Sequence, residues 1–300
     1  MSSPAIPIRV EPASPAIGAR IEGVDVGRLS DDEFAIVRAA WQRHSALVFS
    51  GQSLSDADLI RFSTRFGELD LPPVNENGKT FVSGHPEIYV VSNVVGADGV
   101  PIGSLGAGEA VWHTDMSYLA KPPDASMLYA LEVPPAGGDT LVISMEAALR
   151  GMPAALIQRV HGLFIKHDGT YNSGGYLRQG LTANDDPLTS PGTAHPIVCA
   201  HPETGRPTLY LGRRRNAYVV GLSLPESEAL LDELWNFATL PQHAYRHHWQ
   251  VGDLLMWDNR TTMHRRDPFP DHTRRVMHRT QIKGSVSPRP YTASITGAAG

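Results

Sequence analysis

One cysteine, Cys199, stands among 300 residues, so no intramolecular disulfide can form and the thiol reads as one kept in a reducing, intracellular compartment. It lies in the apolar run Pro196 to Ala200, where a lone thiol is more often inert core than a nucleophile. Nowhere do about 18 apolar residues run together, and Met1 to Val10 shows no basic stretch followed by an apolar one. A cytoplasmic protein without a membrane partner is expected. An excess of basic residues is missing too: 26 Lys and Arg stand against 31 Asp and Glu, for a net charge of −5. A nucleic-acid partner is therefore not expected, because phosphate backbones are bound by surplus positive charge. Internal repeats and interdomain linkers are absent as well. Residues 1–300 are expected to form one domain, with a core from about 17 to 284 and a loosely packed tail over 285–300.

The chain is rich in punctuation, with 28 Gly and 24 Pro, which suits many short strands better than a few long helices. β-rich runs occur at Ala46–Phe49, Ile88–Val94, Met127–Val133, Thr140–Ile143, Leu163–His167, Thr208–Leu211, Leu254–Trp257 and Arg275–Ile282. Such spacing predicts a sandwich or jelly roll. Four peripheral helices are expected around it. One covers 29–44, opened by a Ser30/Glu33 capping box, and one is capped by Ser55. A third, 144–160, is broken at Gly151 and Pro153, and the fourth, Pro225–Ala238, follows a Ser223/Glu226 box.

The chemistry starts at Trp112-His113-Thr114-Asp115. In an extended strand residues two apart share a face, so His113 and Asp115 would present an imidazole and a carboxylate together. A His-x-Asp triplet alone is weak in a chain with 13 His, where an ordinary core or surface histidine is the usual explanation. A third ligand candidate is His264, beyond the apolar run ending Trp257-Asp258-Asn259. Two His and one carboxylate on one face leave three octahedral positions open, the arrangement of non-haem iron(II) oxygenases.

With Gly137-Gly138-Asp139-Thr140 between these segments and Arg275 eleven residues after His264, the chain resembles the taurine dioxygenase and phenoxyalkanoate-herbicide dioxygenase family of 2-oxoglutarate oxygenases. The resemblance runs from about Ile17 to about Gly284, with Phe66-Gly67-Glu68-Leu69 and His201 to Arg206 as further landmarks. It implies a double-stranded β-helix, a cupin-like jelly roll with flanking helices. It also implies Fe(II) held by His113, Asp115 and His264, with 2-oxoglutarate and O2 consumed and succinate and CO2 released. Asp115 speaks against a halogenating relative, in which the carboxylate ligand is typically absent.

Arg275 can take both oxygens of the distal 2-oxoglutarate carboxylate in a planar fork, and by the resemblance Thr140 adds a hydroxyl. The bland alternative is a solvated charge among Arg265, Arg266 and Arg274. Strand parity favours the fork, since Arg275, Met277 and Arg279 share a face and Arg274 does not. Arg279 matches the position that in relatives contacts the anionic head of the prime substrate. Met116 and Tyr210 are further substrate-binding candidates, with Tyr118 and Trp257 as pocket walls or plain aromatic core.

Aligned without gaps, the substrate-binding His and Tyr of taurine enzymes fall on Pro72 and Asn75, which weakens a taurine-like substrate. The stretch from His201 to Arg213 is closer to the herbicide-cleaving members. Hydroxylation beside an ether oxygen there yields a hemiacetal that collapses to a phenol and an oxo acid. An aryloxy- or alkyl-ether carboxylate is ranked first, and an alkanesulfonate or sulfate ester second. A non-catalytic metal-binding jelly roll is the alternative from another class. It calls for a lost ligand or a lost co-substrate arginine, and neither is missing. The run Arg213-Arg214-Arg215 reads as a solvated loop or an anion funnel, and a dimer or tetramer is left open.

Overall fold

The computed structural model describes residues 7–72, 80–293 and 295, so Asn75 lies outside the described residues. Eight strands make the larger sheet, in the order Arg9–Pro12, Ala19–Glu22, Ala46–Phe49, Leu254–Asp258, Ala125–Glu132, Val276–Ile282, Tyr89–Ser92 and Ser104–Leu105. A four-stranded sheet runs Ala244–His247, Thr140–Ser144, Thr262–Arg266, Ala110–His113. Two three-stranded sheets complete the β structure.

Period-two alternation sorts the apolar residues into layers. In the larger sheet Leu47, Phe49, Met127, Leu254 and Met256 face outward onto the helices Asp31–His44 and Asp56–Thr64, packing with Val37, Trp41, Leu59 and Phe62. Their strand neighbours Ala46, Val48, Leu128, Leu255 and Trp257 face the other way, where they meet Val142 and Tyr245 of the four-stranded sheet. On that sheet's far side Ile143 and Met263 pack against Met145–Gly151, Ala154–Val160 and Leu224–Ala238. The central strands of these two sheets thus carry buried side chains on both faces, and the space between the two sheets is where inward polar side chains collect.

The helix starts follow local chemistry. Ser30/Glu33 and Ser223/Glu226 form capping boxes, and Ser55 forms one with Asp58. The tail departs from expectation: Arg289–Pro290 pair with Val198–Ala200, and the Ser285 amide donates to Asp124, so the chain remains docked beyond 284. No helix among the described residues is long and apolar enough to cross a membrane.

Candidate metal centre and its anion pocket

His113 and His264 face each other as direct cross-strand partners at one edge of the four-stranded sheet. Their rings lie 4.1 Å apart, and candidate ligand atoms of His113, Asp115 and His264 all fall within 4.8 Å of one another. Each of the three is buried. Asp115 does not arrive by the pleat expected from the sequence. The strand ends at His113, and Asp115 lies in the following turn, beside Met116 at φ 47°. The side chain of Asn259 builds that turn: its oxygen accepts from the Asp115 amide at 2.8 Å, and its nitrogen donates to the carbonyls of Asp115 and Pro123. His264, by contrast, lies within a strand, Thr262–Arg266, after a turn that carries the chain from one sheet to the other.

The second contacts fix which atoms are free. His113 Nδ1 lies 2.7 Å from the carbonyl of Val111, which leaves Nε2 as the ligating nitrogen. Ser126 donates to Asp115 Oδ2 at 2.7 Å, and Arg279 Nη1 lies 3.4 Å from Oδ1. Burial pushes the Asp115 carboxyl up, but Arg279, then His264 and His113, outweigh it and hold it well below the usual range. His264 is pushed down to about 3, by burial first and then by the neighbouring His113. An ionised carboxylate and a neutral imidazole are the forms a divalent cation requires. Among the described residues the donor set fits an iron(II) site.

Beside the triad a cavity is lined by Thr140, Trp257, Arg266, Arg275 and Arg279, together with His113 and His264. Arg275 is 1% exposed, yet none of its three guanidinium nitrogens has a hydrogen-bond partner among the described residues. Burial, then the charge of Arg266, lowers its pKa to about 9. The glycine pair explains how it fits: a Cβ on Gly138 (φ 72°) would stand 3.4 Å from Arg275 Cδ and Nε, and one on Gly137 would meet the carbonyl of Pro268 at 2.6 Å. Trp249 Nε1 donates to Thr140 Oγ1 at 3.0 Å, fixing that hydroxyl at the cavity wall. Arg274 points away and pairs with Glu132 on the surface, as strand parity requires.

Other expected residues fall elsewhere. Tyr210 lines a separate cavity of about 360 Å³ with Cys199 and Arg260, and its hydroxyl is buried without a partner among the described residues. Neither Met116 nor Tyr210 lines the triad cavity. Of the arginine run, Arg214 pairs with Glu228 and Asp232, Arg215 pairs with Asp185, and Arg213 is buried against the carbonyl of Tyr171. These contacts tie the run to the helix Leu224–Ala238 and to the segments around Tyr171 and Asp185. Ser126, Asn259 and Arg266 carry the site without having been singled out as site residues from the sequence. Asn259 had a signal in its place in Trp257-Asp258-Asn259, and Arg266 in its two-residue offset from His264.

A mainly β protein with a buried His-Asp-His centre between two sheets belongs to the class of mononuclear metal oxygenases. The chain is a member of the taurine catabolism dioxygenase TauD, TfdA family, which it matches over residues 9–281. It is 30% identical to a (S)-phenoxypropionate/alpha-ketoglutarate-dioxygenase of Delftia acidovorans, over 92% of this chain and 95% of that one. An alpha-ketoglutarate-dependent sulfate ester dioxygenase of Pseudomonas putida is also 30% identical, over 94% and 91%. Among solved structures, a taurine dioxygenase from Burkholderia xenovorans superposes with a TM-score of 0.76 at 34% identity, covering 96% of this chain and 93% of that one. AAD-2 in complex with Mn(II) and N-oxalylglycine gives 0.76 at 27% identity, covering 96% and 100%. The chain is a 2-oxoglutarate-dependent non-haem iron dioxygenase.

Proposed function

We propose that this dioxygenase hydroxylates a small anionic organic substrate, an aryloxy- or alkyl-ether carboxylate, within a double-stranded β-helix. In this reading His113 Nε2, Asp115 and His264 Nε2 hold Fe(II), Arg275 and Thr140 seat the distal carboxylate of 2-oxoglutarate, and Arg279 takes the anionic head of the prime substrate. The observation that carries it is the pair of arginines, Arg275 and Arg279, lining one cavity beside the triad, of which Arg275 is fully buried with no partner on any guanidinium nitrogen among the described residues. A buried unpaired guanidinium costs several kcal/mol, on the order of 3 to 5, so a pocket built around one is built for an anion.

Bound iron and 2-oxoglutarate supply the oxidising power, with succinate and CO2 as co-products. The chain's residues supply placement. Arg275 and Thr140 orient the co-substrate from its distal end. Arg279 helps keep Asp115 ionised, and the Ser126 hydroxyl aims it. Arg279, stacked 4.9 Å over the Tyr89 ring, holds a positive charge within reach of the metal-binding carboxylate. An anionic substrate drawn to Arg279 then presents its α-carbon near the triad, where hydroxylation beside an ether oxygen gives a hemiacetal that collapses to a phenol and an oxo acid.

The ranking of ether carboxylates over sulfonates and sulfate esters is supported by likeness to the Delftia phenoxypropionate enzyme. The sulfate-ester reading is supported by likeness to the Pseudomonas enzyme at the same identity. Succinate release measured with Fe(II) and 2-oxoglutarate across aryloxypropionates, alkanesulfonates and alkyl sulfates decides between them. Release driven by an aryloxypropionate is expected, and release driven only by a sulfate ester would overturn the ranking.

A further inference from the structure

Arg266 is the third arginine lining the triad cavity, and it is built differently from its neighbours. It follows His264 by two residues on the strand Thr262–Arg266, so both side chains leave the same face toward the cavity. Across the ladder its partners are Thr140 on one side and Ala110 on the other. Arg265, one residue earlier, turns out to Glu109 and Asp267. Arg266 is 7% exposed and makes no ion pair among the described residues. Its Nη2 donates to the backbone carbonyls of Leu105 (2.9 Å) and Gly108, while its Nε is buried without a partner among the described residues.

The segment it holds is an unusual one. Leu105 takes φ 74°, a left-handed conformation that L side chains rarely adopt, and Gly106 follows at φ 48°. Leu105 itself lines the cavity. A second tie comes from the Phe269 amide, which donates to the carbonyl of Ala107 at 3.2 Å. The Phe269 ring stands 5.5 Å from the Arg266 guanidinium and 6.0 Å from that of Arg275, so the two cations share one aromatic wall. Two guanidinium groups in one buried pocket with no acid between them repel each other, and a ligand carboxylate relieves both at once.

We infer that Arg266 is a second arginine of the co-substrate seat: it pins Leu105–Gly108 as a wall of the pocket and adds positive charge for the distal carboxylate of 2-oxoglutarate. The inference rests on the assignment of this cavity to the co-substrate. One group thus serves two ends, since the nitrogen that bonds the loop belongs to the same guanidinium that faces Arg275's ligand. Binding of the distal carboxylate and ordering of the loop are therefore coupled.

The test uses full-length protein loaded with Mn(II), which prevents turnover, and two ligands titrated by calorimetry. One is 2-oxoglutarate, and the other is 2-oxobutanoate, which has the same 2-oxo acid head without the distal carboxylate. Arg266→Met is expected to weaken 2-oxoglutarate by about tenfold or more while 2-oxobutanoate changes less than about twofold, and Mn(II) affinity is expected to hold. Equal weakening of both ligands, or unchanged 2-oxoglutarate affinity, would overturn the inference. Should Arg266→Met fail to fold, Arg266→Lys is read in its place. It keeps the charge without the fork, so a smaller loss with the same selectivity is expected, and an unselective loss overturns the inference equally. Hydrogen exchange on the wild type reads the coupling directly. 2-Oxoglutarate should slow exchange at Leu105–Gly108 and 2-oxobutanoate should not, and no slowing with either would contradict the wall. If instead Mn(II)-loaded wild type binds no 2-oxoglutarate, or Arg275→Leu binds it as well as wild type, the assignment of the cavity itself fails.

Discussion

Three arginines share one pocket, and their surroundings assign them separate tasks. Arg275 has no hydrogen-bond partner among the described residues, so its charge is free for a ligand. Arg279 already leans on Asp115, and so couples the metal-binding carboxylate to whatever sits over Tyr89. Arg275→Leu should therefore weaken 2-oxoglutarate by about 2 to 5 kcal/mol and leave iron binding largely intact, as read by anaerobic titration. Unchanged co-substrate affinity would remove that role. Arg279→Leu should do the reverse, weakening the prime substrate far more than 2-oxoglutarate, and equal weakening of both ligands would mark Arg279 as structural. Arg279→Lys should restore only part of the loss, because an ammonium lacks the planar fork.

At the scale of elements, the site depends on turns that hold residues distant in sequence. Asn259 is fully buried and brackets Asp115 from 144 residues away, so Asn259→Ala leaves buried backbone groups unpaired. A loss of stability of about 1 to 3 kcal/mol together with weaker metal binding is expected, measured by denaturant unfolding and metal titration. Normal metal affinity in a folded variant would show that Asp115 needs no such bracket. Gly212 is a second constraint. Its carbonyl accepts from the Thr114 amide, and a Cβ there would stand 1.8 Å from His167 Nδ1, at φ 71°.

These turns also explain what the sequence could convey. Capping boxes are written in residues three apart, so Ser30/Glu33 and Ser223/Glu226 were legible, as was the parity separating Arg275 from Arg274. The Asp115 turn was not, because its geometry comes from Asn259 rather than from the strand carrying His113. Arg266 was hidden in a basic stretch where Arg265 and Arg274 are ordinary surface ion pairs. Its two-residue offset from His264 carried the same parity signal that had singled out Arg275. Tyr210, offered by the sequence as a pocket wall or plain aromatic core, is buried and lines the cavity that holds Cys199 and Arg260.

For the whole molecule, Asp258 joins the sheets to the periphery. It accepts from His201 at 3.0 Å and pairs with Arg260, which reaches Glu203. Thus the segment from His201 to Arg206 is anchored to the strand turn just before His264. Burial pushes the Asp258 carboxyl up, but Arg260 and then His201 outweigh it and hold it below the ordinary aspartate value. A depressed folded-state pKa gives stability that is present above the unfolded value near 4 and lost as pH falls through the folded one. Thermal unfolding should place Asp258→Asn well below the wild type at pH 7, with the gap narrowing as pH drops below about 4. A gap independent of pH would show that the pair contributes through packing alone.

The proposed chemistry is one coupled reaction at the His113, Asp115 and His264 centre. Its most direct measure is succinate and phenol formed together from 2-oxoglutarate and an aryloxypropionate, with Fe(II) added, in wild type and in Asp115→Ala. One succinate per phenol in the wild type and neither product in the variant is the expected result. Equal product from both proteins, or phenol formed without 2-oxoglutarate, would contradict it.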